Sequence, residues 1–463
     1  MAAKQQCCPS ILMLPWLAHG HISPFLELAK KLSHKNFHIY FCSTPINLMP
    51  IRETLPSNMF SSIQLIDINL PSSQELPPHY HTTKDLPPYL MSTLKAAFDA
   101  AQPSFCNILK TLKPNLVIYD FLQPWVPKAA REQNINAIIF LSAGAACCSF
   151  FVHYANSPGE DYPFPALSFP ENQLEKITQF MRGTANGLTN KERFIECLQR
   201  SSKIALIKTS KNVEAKYIDL LAALIGKEVV PVGPLIQDHV NNGHEDDDDA
   251  VVIMEWLSKK DPCSVVFVSF GSEYFLSKEE MEEIAYGLEL SKVGFIWVVR
   301  LHGGEKIKVH EALPDGFQQR MGERGLVVED WAPQAKILSH PSTGGFVSHC
   351  GWSSVLEGIM FGVPIIAVPM QLDQPINARL LVDVGVGVEV ERRNERLNRE
   401  EVARVINRVV LQEGAESRRK SKELSEKIRE KGDEEMGQVV KELMQIVRES
   451  GYFAVSGEEG TNI

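Results

Sequence analysis

The chain has 463 residues, 44% of them hydrophobic and 22% charged, with a formal net charge of -10. That length exceeds what one hydrophobic core usually serves, so two or three domains are expected, and the acidic balance excludes a basic footprint for nucleic acid or anionic membrane. Nine cysteines, at 7, 8, 42, 106, 147, 148, 197, 263 and 350, are odd in number and show no C-x-x-C spacing, a pattern of reduced cytosolic thiols rather than a disulfide framework or zinc site.

The N-terminal apolar run is too short for a signal peptide, and no run approaches the ~18 apolar residues of a membrane span. Strands are expected at Ile11–Pro15, His38–Cys42, Ile63–Ile66, Leu116–Tyr119, Ala137–Leu141, Ile204–Lys208 and Val229–Pro231. Helical patterns lie between them, including Ser23–Leu32, with Ser23-Pro24 as its cap and first turn, and Leu86–Leu109. Strand-helix alternation predicts an α/β fold with a doubly wound parallel sheet.

The stretch from Leu14 to Pro24 lies where the first strand gives way to the first helix. Carboxyl ends of parallel strands are where such sheets bind ligands, and a histidine there can act as a general base. His19 and His21 compete for that role, and the residues alone do not choose between them. Asp120 ends the apolar strand Leu116–Tyr119 at the same sheet edge. A carboxylate there can fix the tautomer of a basic histidine.

The run QDHVNNGHEDDDDA, 237–250, has no apolar periodicity and four consecutive aspartates, and is expected to be a solvated linker. An Asp-x-Asp metal site is the competing reading, but no strand precedes the run and no ligands are spaced within it. The second half repeats the strand-helix plan, with strands at Ser264–Phe270, Gly294–Val299, Leu326–Val328, Phe346–Ser348, Pro364–Val368 and Val386–Val390. Ser277 to Glu280 forms a capping box opening a helix through Leu290. Charged amphipathic helices follow at Arg399–Gln412 and Ala415–Ser450, and Tyr452–Ile463 is expected to fray.

The densest chemistry lies between Trp331 and Gln374, WAPQAKILSHPSTGGFVSHCGWSSVLEGIMFGVPIIAVPMQLDQ. A buried strand through Ser348 turns at His349-Cys350-Gly351 into a helix. Gly351 would permit a tight turn, and Ser353 and Ser354 could cap the helix. A helix amino end attracts anions, His349 could add a donor there, and Glu357 one turn later could accept from two ribose hydroxyls.

This segment closely resembles the signature box of the plant family-1 UDP-dependent glycosyltransferases, over all 44 positions without a gap. One position departs: Ser353 stands where the family usually has Asn after H-C-G-W. The resemblance implies a GT-B fold of two Rossmann-like domains, the first binding acceptor (1–236) and the second UDP-sugar (251–440), with the linker 237–250 between them and 441–463 returning to the first domain. Trp331 would stack on uracil, Ala332 would meet it through its backbone, and Gln334 belongs to the same donor set. Glu357 would bind the ribose. His349, Trp352 (through its backbone), Ser353 and Ser354 would hold the diphosphate, and Asp373 and Gln374 the sugar hydroxyls. The family pattern G-H-I-x-P aligns the catalytic base with His21, and the strand-end Asp120 with the residue that orients it. Ser142 matches a hydroxyl touching the donor sugar, and Ser272 one near the phosphates.

Gly271-Ser272-Glu273-Tyr274-Phe275 and H-C-G-W-S-S resemble the branch that extends sugars on existing glycosides. The donor is then UDP-glucose and the acceptor a flavonoid, terpenoid or lignan glycoside, extended at a sugar hydroxyl such as the 6-hydroxyl; the alternatives are UDP-rhamnose transfer to flavonoid glycosides and glucosyl transfer to free aglycones. Trp16, Phe121, Trp125 and Phe150 could present aromatic faces to it, and His19 and Gln123 polar contacts, although each aromatic could equally be core. No metal or further cofactor is implied, and a cytoplasmic monomer is expected. A non-catalytic UDP-sugar-binding protein is the reading from another class. It would need the box but no His–Asp pair.

Overall fold

The computed structural model describes residues 8–236, 248–301, 308–412 and 414–449. The linker expected at 237–250 falls outside them except for its last three positions, which open the helix Asp248–Ser258. The expected frayed tail also lies outside the described residues. The chain divides into two compact units, the first formed by Met1–Asp161, Phe169–Leu235 and Gly432–Ile463, the second by Tyr162–Ser168 and 236–431.

In the first unit the strands are β1 (Ser10–Leu14), β2 (His38–Ser43), β3 (Ile63–Asp67), β4 (Leu116–Tyr119), β5 (Asn136–Leu141), the two-residue hairpin strands β6 (Thr184–Ala185) and β7 (Leu188–Thr189), then β8 (Ile204–Ile207) and β9 (Glu228–Pro231). Seven of these form one sheet in the order β3-β2-β1-β4-β5-β8-β9, with every pairing parallel. All four residues of β4 are buried. That explains why such strands read as unbroken apolar runs: a parallel sheet is covered on both faces. The core joins Ile11, Met13, Phe25, Phe41, Ile118 and Phe140 to Val439, Leu443 and Ile446 of the terminal helix Gly414–Glu449.

The second unit contains β10 (Val265–Ser269), β11 (Gly294–Val299), β12 (Gly325–Glu329), β13 (Thr343–Ser348), β14 (Ile365–Ala367) and β15 (Gly387–Glu389), in the parallel order β12-β11-β10-β13-β14-β15. The helix Lys278–Ser291 begins at the expected capping box, with Ser277 accepting from the Glu280 amide. It packs on Arg399–Asn407 at a glycine: a Cβ on Gly287 would stand 2.6 Å from Val402 Cγ1.

Two local expectations differ from the structure, and one element was not expected at all. The first helix runs His19–Ser33 and not from Ser23, so Pro24 lies inside it. Burial of Ile22, Phe25, Leu26 and Leu28 extends the helix one turn earlier, where the His21 and Ile22 amides donate to the Ala18 carbonyl. The helix expected at Leu86–Leu109 is instead a turn at Pro88–Leu90 and two helices, Met91–Ala100 and Gln102–Leu112. Pro103 lacks an amide hydrogen and its ring displaces a preceding carbonyl, which breaks the run. The β6–β7 hairpin escaped the periodicity reading altogether. Its signal is Asn186-Gly187, with φ of 50° and 76°, the dipeptide that hairpins with two left-handed residues select.

Candidate functional site

In both sheets the strand order reverses between the unit's first strand and its fourth, β1 beside β4 and β10 beside β13. The crevice outside such a switch point is where doubly wound sheets take ligands.

In the first unit Asp120 directly follows β4 and is fully buried. Its Oδ1 accepts from the Phe121 amide at 2.7 Å and its Oδ2 from the Trp16 amide at 3.1 Å. The same Oδ2 stands 2.8 Å from Nδ1 of His21, in the first turn of the helix after β1. Ser142 follows β5 and places its Oγ 3.2 Å from that Nδ1. With Nδ1–H donated to the carboxylate, Nε2 becomes the basic nitrogen of the ring, and Asp120 is placed to stabilise an imidazolium. His21 keeps 20% of its side chain exposed. His19, two residues earlier, is exposed on the same turn.

The six residues expected to meet an acceptor separate by burial. Phe121 is partly exposed and its ring lies 5.1 Å from that of His21. His19 is exposed, whereas Trp16, Gln123, Trp125 and Phe150 are buried. Trp125 packs edge-on to Phe98 and Phe105, and Phe150 against Tyr154 and Phe169. Gln123 is fully buried, and neither amide atom has a hydrogen-bond partner among the described residues.

In the second unit His349 follows β13 and Gly271 follows β10. The two glycines beside His349 are close-approach positions: a Cβ on Gly271 would stand 2.6 Å from His349 Cε1, and one on Gly351 2.6 Å from its Nε2. The left-handed residue of this turn is Cys350, with φ of 67°; Gly351, at φ -57°, is the residue before the helix Trp352–Met360. Ser353 and Ser354 sit inside the first turn and not at the cap, and the cap residue, Gly351, has no side chain. Desolvation pushes the His349 pKa down to about 4, so near neutral pH the ring offers a single N–H and no charge.

Trp331 is 62% exposed and Ala332 beside it is buried. Gln334 donates to Oε2 of Glu357 at 2.6 Å, fixing the carboxylate one turn into the helix. The Gln374 carbonyl accepts from the Met370 and Gln371 amides, both at 2.9 Å, which fixes its carboxamide. Asp373 accepts from Asn377 at 2.7 Å, and Asn377 also donates to the Cys350 carbonyl at 2.9 Å. Asn377 therefore ties the two halves of the box together, a role the sequence reading missed; its signal is the one-turn spacing from Asp373. Asp330, Cys350 and Leu372 all have left-handed backbones, each directly before Trp331, Gly351 or Asp373. Strain of this kind gathers at functional loops. Ser272 is exposed just after Gly271. Among the described residues no cluster of His, Cys, Asp or Glu could hold a metal, and no helix is long and apolar enough to cross a membrane.

Residues 9–237 match the family described as glycosyltransferase, N-terminal domain, and residues 239–417 the one described as UDP-glucoronosyl and UDP-glucosyl transferase. A flavanone 7-O-glucoside 2''-O-beta-L-rhamnosyltransferase of Citrus maxima is 54% identical over 97% of this chain and 100% of its own. A UDP-glucosyltransferase 29 of Panax ginseng is 52% identical over 95% and 97%. A beta-D-glucosyl crocetin beta-1,6-glucosyltransferase of Gardenia jasminoides is 46% identical over 95% and 99%. In fold, the chain matches a Glycyrrhiza uralensis UDP-glycosyltransferase complexed with glycyrrhetinic acid 3-O-monoglucuronide at a TM-score of 0.83 and 24% identity, over 98% of both chains. It matches a Phytolacca americana enzyme complexed with UDP-2-fluoro-glucose and pterostilbene at 0.75 and 28%, over 95% and 100%. With two GT-B-type parallel sheets, a match in each half and relatives this similar along nearly their whole length, the chain belongs to the plant family-1 UDP-glycosyltransferases and is an enzyme of that class.

Proposed function

We propose that the protein transfers glucose from UDP-glucose to a sugar hydroxyl of a plant glycoside (flavonoid, terpenoid or lignan), with inversion at the anomeric carbon, as a cytoplasmic monomer. The acceptor hydroxyl gives its proton to Nε2 of His21, and Asp120 steadies the imidazolium that forms. The oxygen attacks the anomeric carbon from the face opposite UDP. The carbon–oxygen bond to the diphosphate breaks, and the box around His349, Ser353, Ser354 and the helix amino end meets the charge of departing UDP. Trp331, Glu357 and the pair Asp373 and Gln374 hold uracil, ribose and glucose.

The observation that carries the glycoside acceptor is the naming of full-length relatives, at 54% and 46% identity, for acceptors that already carry glucose. One of these is named a rhamnosyltransferase and the other a beta-1,6-glucosyltransferase. UDP-rhamnose is therefore the second reading of the donor, and the 6-hydroxyl the first choice of linkage. Purified protein incubated with UDP-glucose or UDP-rhamnose, and with monoglucosides beside their aglycones, decides both points by mass spectrometry. A disaccharide product formed faster than any aglycone product, with an inverted anomeric centre by NMR, is expected. Faster reaction of aglycones across several scaffolds overturns the acceptor reading, and preference for UDP-rhamnose overturns the donor.

A further inference from the structure

Two buried carboxylates outside the His21–Asp120 pair stand in series behind it, all within the first unit. Glu214 is 1% exposed. Its Oε2 accepts from the Ala145 amide at 2.9 Å and its Oε1 from the Ala146 amide at 2.7 Å. These are the first two amides of the helix Ala145–Asn156, whose cap residue, Gly144, offers no side chain. Glu214 therefore does from another helix what a cap residue does locally. Its own helix, Lys211–Ile225, departs from helical geometry at this residue, with φ -129° and ψ 27°.

The second carboxylate supports the first. Glu435, on the part of the terminal helix that belongs to this unit, is 8% exposed. Its Oε1 accepts from Ser210 Oγ at 2.9 Å and from the Lys211 amide at 3.0 Å. Those groups are the cap and first amide of the helix carrying Glu214. A buried carboxylate is costly unless hydrogen-bonded, and here the bonds of both converge on helix amino ends, where the peptide dipoles favour negative charge.

The connection to the reacting centre is short. The segment Ser142-Ala143-Gly144 joins β5 to the helix that Glu214 holds, and Ser142 Oγ is 3.2 Å from His21 Nδ1. We propose that Glu214 is a positioning residue for His21, acting through the amino end of the Ala145–Asn156 helix and Ser142, and that Glu435 holds Glu214 in place. The terminal helix thereby supports the reacting histidine without touching it. The inference rests on His21 being the base.

The test measures kcat, acceptor and donor KM, calorimetric UDP affinity and Tm for Glu214→Gln, Glu214→Ala, Glu435→Gln, Ser142→Ala and the doubles. A misplacement of an ångström or less costs up to about 100-fold in rate. Glu214→Ala is expected to lower kcat by about 10- to 100-fold at temperatures below its Tm, with UDP affinity within about twofold of wild type. Glu214→Gln keeps one acceptor oxygen and should recover part of that loss. Glu435→Gln should give a smaller loss, less than multiplicative with Glu214→Gln. In a Ser142→Ala background, Glu214→Gln should have little further effect on kcat. Wild-type kcat in Glu214→Ala, or a Glu214→Gln effect that persists undiminished in Ser142→Ala, overturns the inference. His21→Ala separates the two readings: turnover that survives it removes the base, whereas turnover lost with His21→Ala and retained with Glu214→Ala removes only the relay.

Discussion

The two sheets set their chemistry at the same topological place and fill it with opposite means. Beside β1 and β4, His21 meets a buried carboxylate at 2.8 Å. Beside β10 and β13, His349 meets two glycines, and burial pushes its pKa down to about 4. A carboxylate beside one imidazole favours a charged ring, and burial of the other favours a neutral one. Strand order supplies the location, and the surroundings decide which form of a histidine there is favoured. Charge placed by Asp120 and charge withheld around His349 are the two halves of that contrast.

Removing the base should have the largest effect. His21→Ala is expected to lower kcat by about 100- to 10,000-fold while calorimetric UDP affinity stays within about twofold. His19→Ala should leave kcat near wild type, with any effect confined to acceptor KM; the reverse pattern in kcat would exchange the two histidines. Asp120→Asn keeps the shape and removes the charge, and is expected to lower kcat by about 100-fold or more, with UDP affinity unchanged. Equal kcat for Asp120→Asn and wild type would mean that the carboxylate only shapes the loop.

Effects on the other half should appear in binding. Glu357→Ala is expected to weaken UDP by about 10- to 100-fold, the loss of charge-assisted hydrogen bonding worth about 1.5–3 kcal/mol in total, with acceptor KM little changed. An unchanged dissociation constant in calorimetry would assign Glu357 to structure through Gln334. The smallest effect concerns pH. The ordinary pKa of His349 is 6.5 and its folded value is about 4, so on acidification the unfolded chain takes up the proton first. Stability owed to the neutral ring is complete above pH 6.5, declines below it and is gone by about pH 4. The Tm gap between wild type and His349→Gln should therefore narrow from pH 7 toward pH 4; parallel Tm curves would show that the ring is not held neutral.

All thirteen strands of the two large sheets overlap runs expected as strands from the sequence; the signal is plainest in central strands such as β4, buried throughout and therefore apolar throughout. The capping box at Ser277 was equally legible, since its partners are three residues apart. Errors arose where distant packing overrode a local signal. The first helix begins at His19 because Ile22, Phe25 and Leu26 are buried, and that brings His21 onto a helical turn. Gly351 was expected to permit the tight turn, whose left-handed residue is Cys350.

The sequence by itself determined the strand-helix alternation, the signature box and its set of residue types able to hydrogen-bond a diphosphate sugar, because those patterns are local. Only the tertiary structure decided which groups meet. His21 and Asp120 lie 99 positions apart and touch because β1 pairs with β4. Glu435 reaches the Lys211 amide across 224 positions because the terminal helix packs in the first unit's core. Burial of Trp16, Trp125 and Phe150, and the depressed pKa of His349, were likewise set by what surrounds them. Desolvation depends on neighbours brought together by folding, and no local spacing encodes it.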